Sequence, residues 1–199
     1  EIARPLLARG VGQRFFRAAR RLETAMRGDA FIRSGNWHGN RTTWRMCCDL
    51  NRCLYYSTPN DSSKSAGLFL DKPQPVRTVL TVLDGIVAGE GEGPLAPSDV
   101  PLGVIVAGTD PVAVDLVAVR LMGYNEQLIP KLREPMRDTG ARITQVRGPE
   151  DVEVAETRTE SERDHPVVMR RLDEIASERI FTPHPGWIGH IERDTRERT

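Results

Sequence analysis

The sequence predicts an α/β fold in which a mostly parallel or mixed sheet carries helices on both faces. Two segments of strand character, 76–83 and 102–107, alternate with segments of helical periodicity, which is the pattern of α/β domains. The segment 102–107 is apolar on both faces, as expected of a strand that is covered on two sides. Asp110, Pro111 and Gly123 then mark the start and the end of a helix that is apolar nearly all round.

The composition is that of an ordinary globular domain. The 199 residues include 28 basic and 28 acidic side chains, and 39% of them are hydrophobic. Disordered and collagen-like chains have other compositions, and no apolar run approaches the roughly 20 residues of a membrane span. We expect a single α/β domain over 1–199 that is an N-terminally incomplete fragment of a larger domain, because the chain begins Glu1-Ile2-Ala3 without an initiator methionine or a signal peptide.

The cysteines argue for a reducing compartment. Cys47, Cys48 and Cys53 form no C-x-x-C pair, and an odd number at these spacings matches neither a disulfide framework nor a closed zinc or iron–sulfur site. We therefore predict a cytoplasmic protein with no iron–sulfur cluster inside this chain. The cofactor is otherwise open, with a divalent metal as the candidate.

The remaining elements follow from local periodicity and from turn residues. Helices are predicted where apolar residues recur at steps of three and four, and loops where Gly, Pro, Asn, Ser or acidic residues cluster. These rules give helices at 11–26, 42–55, 125–138 and 167–180, an edge strand at 143–146, a mobile loop at 57–75, an irregular glycine-rich segment at 89–94 and an acidic loop at 149–166.

Five carboxylates follow or flank the two predicted strands. Ligands of open α/β sheets bind beyond the carboxyl ends of the strands, and parallel strands would bring Asp84 and Asp110 to the same edge. Glu90 and Glu92 lie on the loop after the first strand, and Asp115 lies one turn into the helix after the second. Hard cations prefer such oxygen ligands, so we predict a carboxylate-rich cleft with Asp84, Glu90 and Glu92 as metal ligands and Asp84 and Asp115 as catalytic residues.

Each of these acids also has a purely structural interpretation. Asp110 suits a helix N-cap, where its carboxylate would use the N–H groups that could otherwise bind an anion. Asp115 needs a partner in an apolar helix, and an Arg or a backbone N–H would serve as well as a metal. The alternating Gly and Glu at 89–94 are also compatible with a solvated turn.

A short polar loop and a histidine-containing segment are further candidates. Asn36-Trp37-His38-Gly39-Asn40 concentrates hydrogen-bonding groups between glycines, so we predict ligand binding by Asn36, Trp37 and Asn40. His38 is a candidate acid, base or ligand near neutral pH, and the alternative is a surface histidine in a turn. In Pro183-His184-Pro185-Gly186-Trp187 we predict that His184 binds the ligand and that Trp187 fills the edge of the core. His184 and His190 are too far apart in sequence for a zinc spacing.

Charge is distributed unevenly along the chain. Residues 1–52 contain eleven Arg and four acidic residues, whereas the acidic stretch 150–164 contains seven acidic residues and two Arg. Two faces that attract one another explain this without a partner. The other explanation is a polyanion-binding module in the Arg-rich N-terminal third, although a nucleic acid is not the partner that we expect.

Four motifs occur in an order that resembles the domain of unknown function 362 family. They are Gly35–Asn40 with Thr43-Trp44-Arg45 and Asp49-Leu50-Asn51, then Asp84–Pro94, then Ala107–Asp115, and last Pro183–Trp187. The resemblance covers residues 30–125 and 180–192. It adds Arg45 to the ligand-binding candidates, together with Asp110.

The resemblance implies bacterial or archaeal relatives without an assigned reaction, many of them associated with iron–sulfur clusters. This chain departs from the family in lacking a C-x-x-C-x-x-C run and in carrying Arg41 where relatives have an acid. Our leading hypothesis is a protein that binds a small ligand or a divalent metal in the carboxylate-rich cleft. The alternatives are a redox module that works with an iron–sulfur partner and the polyanion-binding module.

Overall fold

The computed structural model describes residues 37–57, 74–158, 166–175, 177 and 179–193. Asn36, the helix predicted at 11–26 and most of the loop predicted at 57–75 lie outside the described residues. The helices are α1 (Arg41–Tyr56), α2 (Pro111–Leu121) and α3 (Pro130–Arg137). The strands are β1 (Thr81–Gly85), β2 (Ala88–Glu92), β3 (Ala96–Val100), β4 (Val104–Gly108), β5 (Glu153–Glu156) and β6 (Val168–Arg171). The mixed α/β class is confirmed.

The strand pairs of the described residues are antiparallel, so the parallel arrangement that we expected is not found. β1 pairs with β4, and Thr81 lies opposite Gly108 while Gly85 lies opposite Val104. Parallel neighbours need a crossover, usually a helix, between them. Here the β2–β3 hairpin fills the connection, and its first strand is the glycine-rich segment that we predicted to be irregular. After this hairpin, β4 therefore runs beside β1 in the opposite direction.

α2 is the central element of the core, as its apolar sequence predicts. Its side chains pack in one cluster with residues of α3 and of the C-terminal segment, among them Leu132 and Phe181. Leu116 is only 1% exposed. β4 was predicted to be covered on both sides, but within the described part of the chain only one of its faces is packed. Val106 packs on the core, whereas Ile105 is 64% exposed.

The last third of the chain differs most from the sequence prediction. The acidic loop predicted at 149–166 contains a short 3-10 turn, Pro149–Asp151, and strand β5. The helix predicted at 167–180 is instead strand β6 and a 3-10 turn, Leu172–Glu174. β5 and β6 pair with each other, and Arg170 binds Glu156 across the pair. Pairing and this cross-strand ion pair override the helical periodicity, which is a weak local preference.

Two shorter segments, 125–138 and 143–146, also differ from the sequence prediction. The helix predicted at 125–138 begins only at Pro130, which suits a first helical position, and a 3-10 turn, Glu126–Leu128, precedes it. Residues 143–146 form no strand, because Thr144 and Gln145 bond to a side chain at the start of α2. No helix in the described ranges is long and apolar enough to cross a bilayer.

Candidate functional site

Asp84 and Asp110 lie at opposite ends of the β1–β4 pair. Asp84 is opposite Ile105, near the end of β1, whereas Asp110 follows Gly108 at the other end. The Asp84 side chain is exposed, and its Oδ1 accepts a hydrogen bond from the N–H of Ile86 at 3.0 Å. The shared edge that we predicted depended on parallel strands, and the antiparallel pairing separates the two carboxylates.

Asp110 is a helix cap that also holds a neighbouring segment. Its Oδ1 accepts hydrogen bonds from the N–H groups of Val112 and Ala113, at 3.0 and 3.1 Å. Its Oδ2 accepts from the hydroxyl of Thr144 at 2.8 Å and from the N–H of Gln145 at 3.0 Å. The structural interpretation of Asp110 therefore accounts for both of its oxygens.

The other acids have contacts of their own. Asp115 forms an ion pair with Lys131 of α3 at 3.0 Å. Glu90 binds the Arg179 guanidinium through both oxygens, at 2.7 and 2.8 Å, and also accepts from the N–H of Thr182. Glu92 ends β2. Within the described residues no three His, Cys, Asp or Glu side chains are grouped so that they could hold a metal ion. The predicted carboxylate cleft is thus not assembled in this part of the chain.

The structure does bring together the two polar segments that contain histidine. We call the cluster of Trp37, His38, Gly186 and His190 the histidine junction. The N–H of His38 donates to the carbonyl of Gly186 at 3.1 Å, and the Nδ1 of His38 lies 3.4 Å from the same oxygen. The imidazoles of His38 and His190 stack with centroids 3.4 Å apart and an angle of 17° between their planes. Trp37 meets His38 edge to face, at 6.0 Å between centroids.

Local turns on the N-terminal side fix His38 in this cluster. The N–H of Asn40 donates to the carbonyl of Trp37, and the Asn40 side chain caps α1 by accepting from the N–H groups of Thr42 and Thr43. A Cβ on residue 39 would lie 1.9 Å from the Trp37 ring, so any other residue at this position would displace that ring. The Asn40 side chain, which we predicted to bind a ligand, thus caps α1. The turn that the Asn40 N–H closes with Trp37 places Trp37 and His38 in the cluster.

On the C-terminal side, a series of turns positions His190. The Nδ1 of His184 accepts from the N–H of Gly186 at 3.2 Å, and the N–H of Trp187 donates to the carbonyl of His184. The N–H of His190 in turn donates to the carbonyl of Trp187 at 2.9 Å. Trp187 is half-buried against the core, as predicted. His184 therefore shapes the turn, and His190 is the residue that meets His38.

A carboxylate lies in the same C-terminal loop. Glu192 accepts hydrogen bonds from the N–H groups of Gly189 and Ile191, at 2.9 and 3.2 Å. Burial by itself would raise the pKa of the Glu192 carboxyl, but the backbone N–H groups around it outweigh burial, and the pKa is lowered. Glu192 is thus a fixed negative charge two residues from His190.

His190 and Glu192 are the residues that sequence reasoning missed. His190 was compared only with the nearby His184, for a zinc spacing, whereas its partner His38 is 152 positions away along the chain. The available signal was the occurrence of one histidine in each of two glycine-rich polar segments. Such segments are typical of loops that carry functional residues.

Arg45, the remaining predicted ligand-binding residue, lies on α1 and outside the histidine junction. Its guanidinium carbon is 5.3 Å from the centroid of the Trp44 ring, a cation–π arrangement. Both residues line a cleft of about 390 Å³ between α1 and α3. No residue of the histidine junction lines this cleft, so Arg45 belongs to a separate site.

Comparison with known proteins yields one match. The family model described as "Domain of unknown function (DUF362)" matches residues 25–120. This range includes Trp37, His38 and all but the last residue of α2, and it ends before the segment that contains His190. No curated protein and no solved structure matches the chain.

Proposed function

We propose that this chain, whose residues 25–120 belong to the domain of unknown function family DUF362, binds a small polar ligand at the histidine junction and exchanges a proton with it. The observation that carries the proposal is the stack of two exposed imidazoles from segments far apart in sequence. An exposed indole, Trp37 at 42% exposure, stands beside them and offers an apolar surface to a ligand.

The contact between His38 and Gly186 determines which ring nitrogen is available. A carbonyl oxygen only accepts hydrogen bonds, so a hydrogen bond across the 3.4 Å between Nδ1 and this oxygen requires the hydrogen on Nδ1. The lone pair of the neutral imidazole then lies on Nε2. This nitrogen can take a proton from a bound ligand, which is the role of a general base.

His190 supports this arrangement from the side. Its ring covers one face of His38, while the backbone bond from its own N–H to Trp187 holds the loop in place. The carboxylate of Glu192 accepts hydrogen bonds from the N–H groups of Gly189 and Ile191 and so holds the same loop in place. His38 is the proposed acid–base residue, and His190 and Trp37 are the proposed binding surface.

A divalent metal and an iron–sulfur partner receive less support. We propose no metal at Asp84, Glu90 and Glu92, because Glu90 already binds Arg179 and Asp84 lies at an exposed turn. The cysteines lie on α1, where burial raises the pKa of the Cys48 thiol and so disfavours the thiolate that a metal requires. No contact in the described residues favours the redox alternative.

The test combines histidine-selective NMR with small probes. In the full chain labelled with ¹⁵N-histidine, we expect His38 to carry its hydrogen on Nδ1. Small carboxylates, alcohols and amides are then added separately at millimolar concentration. We expect at least one of these probes to shift the His38 and His190 ring signals together. His184, which lies in the neighbouring turn, provides the matched control for general pH or solvent effects.

Two variants sharpen this test. His190→Gln removes the stacked ring but keeps a polar side chain, and it should abolish the probe-induced shift at His38. Asn125→Gln, a polar change outside the junction, should leave that shift unchanged. An Nε2–H tautomer at His38, or probe shifts that persist in H190Q, would refute the proposed arrangement.

A further inference from the structure

We propose that the cleft between α1 and α3 is a second site, which binds a small anion with one phosphate or carboxylate group through Arg45 and Arg137. The proposal goes beyond the histidine junction and does not depend on it. The cleft is lined by Trp44, Arg45, Asp49, Arg52, Glu134, Arg137 and Asp138. Its volume of about 390 Å³ lies in the range of small-ligand pockets.

Arg52 is fully engaged by the protein and is not available to a ligand. Its Nη1 donates to Asp49 at 2.7 Å, its Nη2 donates to Asp138, and its Nε donates to the carbonyl of Ala141 at 3.2 Å. The N–H of Gly140 contributes most to lowering the pKa of the Asp138 carboxyl, burial opposes this, and Arg52 lowers it further. Asp138 therefore remains a charged partner of Arg52, and their ion pair holds both side chains in place in the cleft lining.

Glu134 is engaged in the same way. The Nε of Arg133 donates to Glu134 at 2.7 Å, and its Nη2 lies 2.6 Å from the same oxygen. The carboxylates of the cleft are thus each bound to an Arg that is not Arg45 or Arg137. They do not neutralise those two side chains.

Arg45 and Arg137 form no ion pair with any residue in the described ranges. Arg45 lies over the Trp44 ring, which limits the positions that its guanidinium can take. Arg137 lies in the last turn of α3, on the other wall of the cleft. Two Arg side chains that line one cleft and form no ion pair within the described residues are suited to a planar or tetrahedral oxyanion, to which Arg donates in pairs.

The charges around the cleft favour a small anion over a nucleic acid. Three Arg side chains and three carboxylates line it, so the charges of the lining balance and the cleft has no excess positive charge to attract a polyanion. A polyanion would bring many phosphates against Asp49, Glu134 and Asp138, whereas a single group between Arg45 and Arg137 would not. The polyanion alternative is therefore an outcome of the test that would overturn the proposal.

The experiment titrates inorganic phosphate, and separately acetate, into the full chain at constant ionic strength. The readout is the indole N–H signal of Trp44 in two-dimensional NMR, assigned with Trp44→Phe. We expect a saturable shift with phosphate or acetate. Arg45→Gln and Arg137→Gln should each weaken the affinity by about tenfold, a typical loss for one charged contact. Arg158→Gln, at an exposed Arg outside the cleft, is the matched control and should change the affinity less than twofold, in line with a weak surface contribution.

Three outcomes would overturn the proposal. They are a Trp44 signal that does not saturate, equal weakening by R158Q, and tight binding of heparin that phosphate fails to displace. Arg45→Lys and Arg137→Lys keep the charge and guard against misfolding of the glutamine variants. If these folded variants bind phosphate as tightly as the unmodified chain, the paired donation assigned to the guanidinium groups is wrong.

Discussion

Replacing Asp110 tests whether its carboxylate holds the fold together. In Asp110→Ala, α2 loses its N-cap, which costs about 1 kcal/mol. The two bonds to Thr144 and Gln145 are also lost, and each intramolecular hydrogen bond contributes about 1 kcal/mol net. We expect a loss of about 3 kcal/mol in the free energy of unfolding. At about 2–4 °C per kcal/mol, this lowers the melting temperature by about 6–12 °C.

A double-mutant cycle with Thr144 separates the two roles of Asp110. The Thr144 hydroxyl donates to Asp110 and accepts from the N–H of Val146 at 3.0 Å, and Thr144 is only 3% exposed. The double variant D110A/T144A should therefore be more stable than the sum of the single losses predicts, by about 1 kcal/mol. Asp110→Asn should fall between the unmodified chain and D110A, because one amide oxygen can still cap the helix.

The assay is urea unfolding followed by circular dichroism at neutral pH. Asn125→Ala is the control, because its side chain caps only the short turn Glu126–Leu128 with a single bond. Its expected cost is about 1 kcal/mol or less. If D110A costs no more than N125A, or if the cycle with Thr144 is additive, the structural role is refuted. The ligand-binding role predicted from the sequence would then be the better explanation of Asp110.

Three further predictions follow from the contacts of the other acids. Glu90→Gln replaces a carboxylate that is 13% exposed and bound to Arg179, so it should lower the free energy of unfolding by about 2 kcal/mol in urea. Asp115→Asn breaks an ion pair with Lys131 in which both side chains are more than one-third exposed, so the loss should be at most about 1 kcal/mol and should shrink in 1 M NaCl. In the folded chain the pKa of the Asp138 carboxyl lies below its ordinary value of about 3.9. The stabilisation by this carboxylate should therefore be complete above about pH 5, and it should disappear as the pH falls through the folded-state pKa.

Each of these predictions has a result that contradicts it. An E90Q variant as stable as the unmodified chain would mean that the Arg179 contact contributes nothing. A large, salt-independent loss in D115N would show that the acid has a buried partner. For Asp138, the stability difference between the unmodified chain and Asp138→Asn is measured from pH 7 to pH 3. A difference that grows as the pH falls has the wrong sign and would overturn the assignment.

The sequence determined those elements whose signals are local. Asp110, Pro111 and Gly123 mark the ends of α2, and the structure confirms the cap, the first-turn proline and a left-handed glycine with φ of 75°. The apolar character of α2 predicted a buried helix, because each side of such a helix must avoid water. α1 was predicted from apolar residues that recur along one face, which is also a local pattern.

Only the tertiary structure decided how these elements meet. Apolar content does not specify strand direction, so the parallel pairing expected of β1 and β4 was wrong, and the carboxylate cleft that depended on it was not assembled in the described residues. The same holds for His38 and His190, whose rings stack where the N–H of His38 donates to the carbonyl of Gly186 in the distant C-terminal loop. Hydrogen bonds between remote segments gain their energy from the folded arrangement of the whole chain, and no local run of residues contains that information.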